Sequence, residues 1–163
     1  MGGVSARLAA LGRRGGGWTG IQFILIWVLI GTGVRGRADI NGAQLVVAML
    51  TGCALIMLGS VILFAGIRRL GVSLSALPTP VDNGVLVDDG VYAYVRHPIY
   101  LGIILVGFGY SVAMDSLVAL IVSVILTVFL DLKSRHEEVL LRERYPDYAV
   151  YAAHTKRFVP YVY

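Results

Sequence analysis

The stretch GVYAYVRHPIYLG, residues 90–102, decides how the chain is read. On its N-terminal side lies a turn-rich segment with Pro78, Pro80, Asn83-Gly84 and Asp88-Asp89-Gly90. On its other side an apolar run starts at Pro98 and continues to Met114. Turn residues close one element, and a proline followed by apolar residues opens the next. An Arg-His pair at the mouth of a hydrophobic segment costs free energy unless it is paired or holds a ligand.

Outward from this boundary the chain is a series of apolar runs. Residues 98–114 and 116–130 are separated by little more than Asp115, which predicts a tight helical hairpin. Both are short for a hydrocarbon layer ~30 Å thick. They are therefore expected to continue into their polar flanks or to sit partly buried in protein. Upstream, residues 18–34 are just long enough to cross, and residues 43–67 are comfortably so. No charge occurs between Arg14 and Arg35, or between Asp39 and Arg68. The 163 residues are 57% hydrophobic, well above a soluble domain, with a mean hydropathy of +0.77. The fold class expected is an all-α integral membrane protein of about four transmembrane helices with a cytoplasmic C-terminal helical extension.

Three regions follow. Residues 1–17 are a flexible basic leader, 18–67 hold two N-terminal spans, and 68–163 form the functional core. A cleaved signal peptide is the alternative for the start: Arg13 and Arg14, an apolar stretch, then small residues. A retained first span is preferred because further spans follow. Past residue 130, Val139, Leu140 and Leu141 with flanking charges predict an amphipathic extension of the fourth helix, broken or restarted at Pro146. The tyrosine-rich tail suits a membrane interface.

With the N-terminus inside, the inner segments hold Arg7, Arg13, Arg14, Arg68, Arg69, Arg96, Lys133, Arg135, Arg142, Arg144, Lys156 and Arg157, against Arg35 and Arg37 outside. That bias orients both termini to the cytoplasm. It also brings VYAYVRHPIY and RHEEVLL to the same membrane face. Arginine dominates the basic residues, which with abundant Gly, Ala and Val suggests a bacterial genome and hence a bacterial plasma membrane. The basic excess is read as topology, and no nucleic-acid partner is expected.

Several chemistries are set aside. GTGVRG, residues 31–36, matches G-x-G-x-x-G, but it ends a span with no strand before it. The single cysteine, Cys53, allows no disulfide within the chain and is read as packing. His97, His136 and His154 show no ligand spacing, so no metal site is expected. Asp115 and Asp131 are read as hairpin turn and helix exit.

RHPIY carries more. Pro98 suits the first helical position, where its missing N–H is not needed. His97 then sits near the N-cap, where free N–H groups and the helix dipole attract an anion. Arg96 and His97 add donors, and Tyr92, Tyr94 and Tyr100 add flat faces for an aromatic ring or a cation. On residue types alone, an Arg96 bound to lipid phosphate within an interfacial tyrosine belt is an equal alternative. RHEEVLL supplies opposite charge. Glu137 and Glu138 pair by spacing with Lys133 and Arg142 on a helix surface. Facing an Arg-His cluster, they would instead clamp a zwitterion.

Together, GVYAYVRHPIYLG and the downstream EEVLLRERYPDYAVYAAHTKRFVP resemble the isoprenylcysteine carboxyl methyltransferase family, which is related to phospholipid N-methyltransferases. The resemblance covers roughly residues 80–160; the first two spans match only in kind. It implies a membrane enzyme that transfers a methyl group from S-adenosyl-L-methionine. Carried over by position, it implies that Leu86, Val87, Tyr92, His97, Pro98, Ile99, Tyr100 and Glu137 bind the cofactor. The family arginine near the substrate is Lys133 here, with Arg135 as a substitute and Arg96 beside the site. RYPDY replaces the usual Phe-Gly-x-x-Tyr.

An anionic nucleophile needs a cation to position it and a dry site, whereas an amine needs a base. No uncommitted base stands out. The expected acceptor is therefore a lipophilic small molecule from the bilayer bearing a carboxylate or thiol. A phospholipid amine is the alternative within this chemistry. A non-enzymatic membrane subunit, with membrane lipid as partner, is the alternative outside it.

Overall fold

The computed structural model describes residues 15–35, 42–80 and 84–160. Helix α1 spans Gly16–Arg35, α2 Gly42–Leu70, α3 Pro98–Ala113, α4 Leu117–Arg144 and α5 Tyr148–His154. Among the described residues, three segments are long and apolar enough to cross a membrane, namely Gly16–Val34, Gly42–Ser73 and Leu117–Arg144; Pro98–Ala113 is a shorter apolar helix. Their outer faces are apolar and exposed, as at Phe23, Trp27, Leu50, Val61, Ile121 and Val128. A bundle apolar both inside and out belongs in lipid. The chain is an integral membrane protein.

Local chemistry sets the ends. Pro98 occupies the first position of α3. Asp115 makes the turn between α3 and α4 at φ 45°, a region that aspartate tolerates better than most residues. Ser116 then caps α4, its hydroxyl accepting from the Ala119 N–H at 3.2 Å. The expected hairpin at Asp115 is present. The fourth helix does continue into its polar flank, running unbroken for 28 residues. It stops at Arg144, two residues before Pro146, and α5 begins at Tyr148. Helix α3 gains no such extension. At 16 residues it is roughly 24 Å long by helical rise, and Pro98 fixes its start. The first span begins at Gly16, so the last residues of the expected leader are helical. Residues 1–14, and with them the leader and signal-peptide readings, lie outside the described residues, as do Arg37, the turn at Asn83 and the tail 161–163.

The tightest packing joins α2 to α3 through glycines seven residues apart. A Cβ on Gly59 would lie 2.8 Å from the Gly102 carbonyl oxygen, and one on Gly102 would lie 2.6 Å from that of Gly59. Gly52 meets Gly109 and Ala113 in the same way, and Gly66 meets Pro98 and Ile99. Without side chains the two backbones approach closely, as lipid-embedded helices require when no hydrophobic force drives them together.

The remaining core packs Leu29 of α1 on Ala119, Val122, Leu126 and Leu130 of α4, with Ile103, Ile104 and Tyr110 of α3 set against them. A buried Ser111–Ser123 hydrogen bond of 2.9 Å links α3 to α4. Helix α1 packs mainly on α4 and is not packed side by side with α2. Cys53 is exposed on α2, which corrects its reading as a packing residue: the glycine face, not the cysteine face, turns inward.

Candidate active site

One end of the bundle gathers the polar residues. The C-terminal tail returns to the start of α3, where Val95 bridges Lys156. The Arg96 N–H donates to the Lys156 carbonyl at 2.8 Å and the His97 N–H to that of Arg157 at 3.1 Å. Both backbone donors are thus used within the chain. Phe158 is buried and its ring lies 6.0 Å from that of His97. The tail is therefore folded into the site rather than spread on an interface, at least as far as Pro160.

His97, only 7% exposed, stacks on Tyr100 with centroids 5.4 Å apart and planes 4° off parallel. Its Nε2 lies 3.2 Å from Glu138 Oε1, and its Nδ1 lies 3.8 Å from Glu137 Oε2. Nε2 therefore donates to Glu138, and Nδ1 is beyond hydrogen-bond reach of Glu137. Consecutive glutamates on a helix point about 100° apart, and the two divide their roles accordingly.

Glu138 turns inward, with 5% of its side chain exposed. It accepts from Arg96 Nε at 3.0 Å and from Arg157 Nε and Nη2 at 3.0 and 3.2 Å. This replaces the surface pair with Arg142. Buried guanidiniums offer forked, desolvated donors that an exposed partner cannot match. Arg96 also donates to the carbonyls of Ala152 and Thr155. It ties the loop to α5 and the tail.

Glu137 takes the other direction. It accepts from the Tyr100 hydroxyl at 2.9 Å and lines two cavities at once. The smaller, a cleft of about 90 Å³, is walled by Leu86, Val87, Tyr92, Arg96, Tyr145, Tyr148 and Tyr151, with Pro78 and Pro80. The larger, about 390 Å³, is walled by Phe23 and Ile26 of α1, Leu63 and Ile67 of α2, and His97, Ile99, Tyr100 and Lys133. It occupies the gap between α1 and α2.

Lys133 is buried, with Nζ 2.6 Å from Gln22 Oε1 and 5.3 Å from the Tyr100 ring centroid. Its expected bond to Glu137 gives way to one with α1.

The expected cofactor residues divide between these spaces. Leu86, Val87 and Tyr92 line the cleft, His97, Ile99 and Tyr100 the larger cavity, and Glu137 both. Pro98 is fully buried beneath Gly66 and lines neither. Arg135 is exposed and bonds Asp131 at 2.8 Å. It lies two positions beyond Lys133, about 200° around the helix, so only one of the two can face the cavity. Gln22, Tyr148 and Arg157 join the site without a local signal, because their partners lie far away in sequence, whereas Glu138 is marked by the Glu-Glu pair facing the Arg-His cluster. The hydroxyls of Tyr92, Tyr148 and Tyr151 are pushed above the ordinary phenol range, burial being the main cause for each. All three remain donors.

A carboxylate between an aromatic cleft and an apolar cavity, at the polar end of a membrane bundle, suits group transfer to a lipophilic acceptor. The phospholipid methyltransferase family matches residues 47–148. The chain belongs to that family. The match takes in most of α2 as well as the whole of α3 and α4, so it reaches further upstream than the resemblance carried by residues 80–160. Members of this methyltransferase family are membrane enzymes that generally use S-adenosylmethionine. In the present methyltransferase, α1 and the tail that packs on His97 lie outside the matched span. No curated protein matches the chain closely enough to count as a relative.

Proposed function

We propose that the protein transfers a methyl group from S-adenosylmethionine to a lipophilic acceptor drawn from the bilayer, and that the acceptor bears a carboxylate or thiol. The observation that carries this reading is Glu137, which forms a wall common to the aromatic cleft and the apolar cavity.

The donor set fits the cofactor. Glu137 offers a carboxylate for its ammonium, tyrosines and prolines offer flat apolar walls for its base, and Tyr92 and Tyr148 offer hydroxyls. The cleft at about 90 Å³ is smaller than the ~300 Å³ of a typical ligand pocket, so entry requires walls such as Leu77, Pro78, Leu86 and Val87 to give way. When bound, the cofactor supplies a methyl group on a sulfonium, open to in-line displacement.

The chain's own residues then position the partners, which supplies much of the rate. The Tyr100 hydroxyl holds the Glu137 carboxylate. Glu138, pinned by two arginines, orients His97. The Lys133 ammonium, steadied by Gln22, is the cation that would hold an anionic acceptor. Phe23, Ile26, Leu63 and Ile67 keep the acceptor side dry, and the gap between α1 and α2 supports entry from the lipid.

A bacterial plasma membrane with both termini in the cytoplasm completes the proposal, since the cofactor is water-soluble. The family description favours a phospholipid amine as the second reading. An ammonium at the head of the cavity opposes it, because an amine acceptor must be neutral and near a base.

Calorimetric titration of the detergent-solubilised protein with S-adenosylhomocysteine tests the reading. Binding is expected in the wild type and lost in Glu137→Ala. No wild-type binding at millimolar ligand would instead favour a non-enzymatic subunit. Product analysis with labelled cofactor over lipid extracts then separates an ester or thioether from a methylated amine.

A further inference from the structure

Buried hydroxyls in folded proteins almost always have a partner, and one that lacks it calls for a reason. Among the described residues, two buried side-chain atoms have none: Asp115 Oδ2 and the Tyr148 hydroxyl. Asp115 belongs to the turn at the far end of the bundle. Tyr148 is 2% exposed and lines the cleft that ends at Glu137. Its neighbours there, Tyr92 and Tyr151, are both satisfied: Tyr151 donates to the Tyr92 carbonyl at 2.8 Å, and Tyr92 reaches the Gly66 carbonyl at 3.5 Å. The ring of Tyr148 is held edge-on to Tyr151 at 5.7 Å, so it is firmly packed. A buried polar group without a partner lowers stability, and a phenylalanine would avoid that loss.

We infer that the Tyr148 hydroxyl is a binding group for the nucleoside half of the methyl donor, donating to an uncharged acceptor on its base or ribose. The inference rests on the methyltransferase reading. Charge decides which half is bound. Glu137 and Glu138 act on this hydroxyl, and the nearby guanidinium of Arg96 is bonded to Glu138, Ala152 and Thr155. An anionic carboxylate would find two like charges and a committed cation. A neutral ring nitrogen or ribose oxygen would find a donor among tyrosines, prolines and leucines. Burial keeps that donor protonated. Tyr148 lies at the last residue of the family match.

The test uses the full chain in detergent with two probes, S-adenosylhomocysteine and 5′-methylthioadenosine, the second lacking the amino-acid half. Tyr148→Phe is expected to weaken both by the same factor, about three- to tenfold for one neutral hydrogen bond. Glu137→Gln is expected to weaken only the first. The ligand-free melting midpoint of Tyr148→Phe should equal or exceed that of the wild type, whereas ligand should raise it less. Unchanged affinity for both probes overturns the inference. So does weakening confined to S-adenosylhomocysteine, which would move the contact to the amino-acid half. A lower ligand-free midpoint would mean a structural partner, and likewise overturns it. If the wild type binds neither probe, the methyltransferase reading itself fails, which separates the two failures.

Discussion

At the scale of single residues, adjacent glutamates with the same chemistry have different duties. Glu138 is the shared acceptor of Arg96, His97 and Arg157. Removing its charge leaves the largely buried Arg96 guanidinium without an anion and leaves Arg157 to Asp131, a loss on the order of 3 kcal/mol. Glu138→Gln should therefore lower the thermal midpoint markedly, as read by scanning fluorimetry. Glu137→Gln keeps an acceptor for the Tyr100 hydroxyl and should leave the midpoint near that of the wild type. Its S-adenosylhomocysteine affinity should fall by roughly tenfold or more, the worth of a hydrogen bond to a charged group. Lys133→Met should leave that affinity unchanged. It should lower kcat/KM for an anionic acceptor by about ten- to a hundredfold, on the same scale of charged hydrogen bonds. Equal loss of cofactor affinity in Lys133→Met would place the lysine on the donor side and remove the argument for an anionic acceptor.

At the scale of elements, the glycine seam between α2 and α3 fixes where the site lies. Gly66 over Pro98 and Ile99 anchors the start of α3 against the end of α2, and so places His97 within reach of α4. Gly59→Ala would set a methyl group 2.8 Å from the Gly102 carbonyl. It is expected to cost about 1–3 kcal/mol by overpacking. Gly31→Ala in α1 meets nothing within 4 Å and should be neutral or slightly stabilising, since glycine is a poor helix former. Melting curves of the two variants in one detergent check the contrast. This seam is hard to see in sequence, because glycines seven apart in one apolar run carry no hydrophobic pattern. The hairpin at Asp115, the stop before Pro146 and the start at Pro98 were legible, because each depends on nearby residues alone.

At the scale of the whole molecule, the topology sets which solution reaches the cleft. Asp88 and His154 are exposed at the polar end, and the native Cys53 faces outward from the apolar α2. Cysteines placed at 88 and 154 should react with a membrane-impermeant maleimide in inside-out vesicles and not in intact cells, whereas Cys53 stays unlabelled in both. Labelling from the outside would reverse the proposed orientation and put the proposed cofactor cleft beyond the reach of a cytoplasmic donor.

Local and additive properties were settled in the sequence. Apolar length, the sites of Pro, Gly and Asp, and the bias of arginine set the membrane class, the helix ends and the pairing of Arg-His-Pro with a downstream Glu-Glu. Which glutamate meets which partner was decided only in three dimensions. Glu138 finds Arg96 42 residues away and Lys133 finds Gln22 111 residues away. The physical reason is that a buried charge selects its partner by desolvation and geometry at the point of contact, and that point exists only once α1, the loop, α4 and the tail have packed.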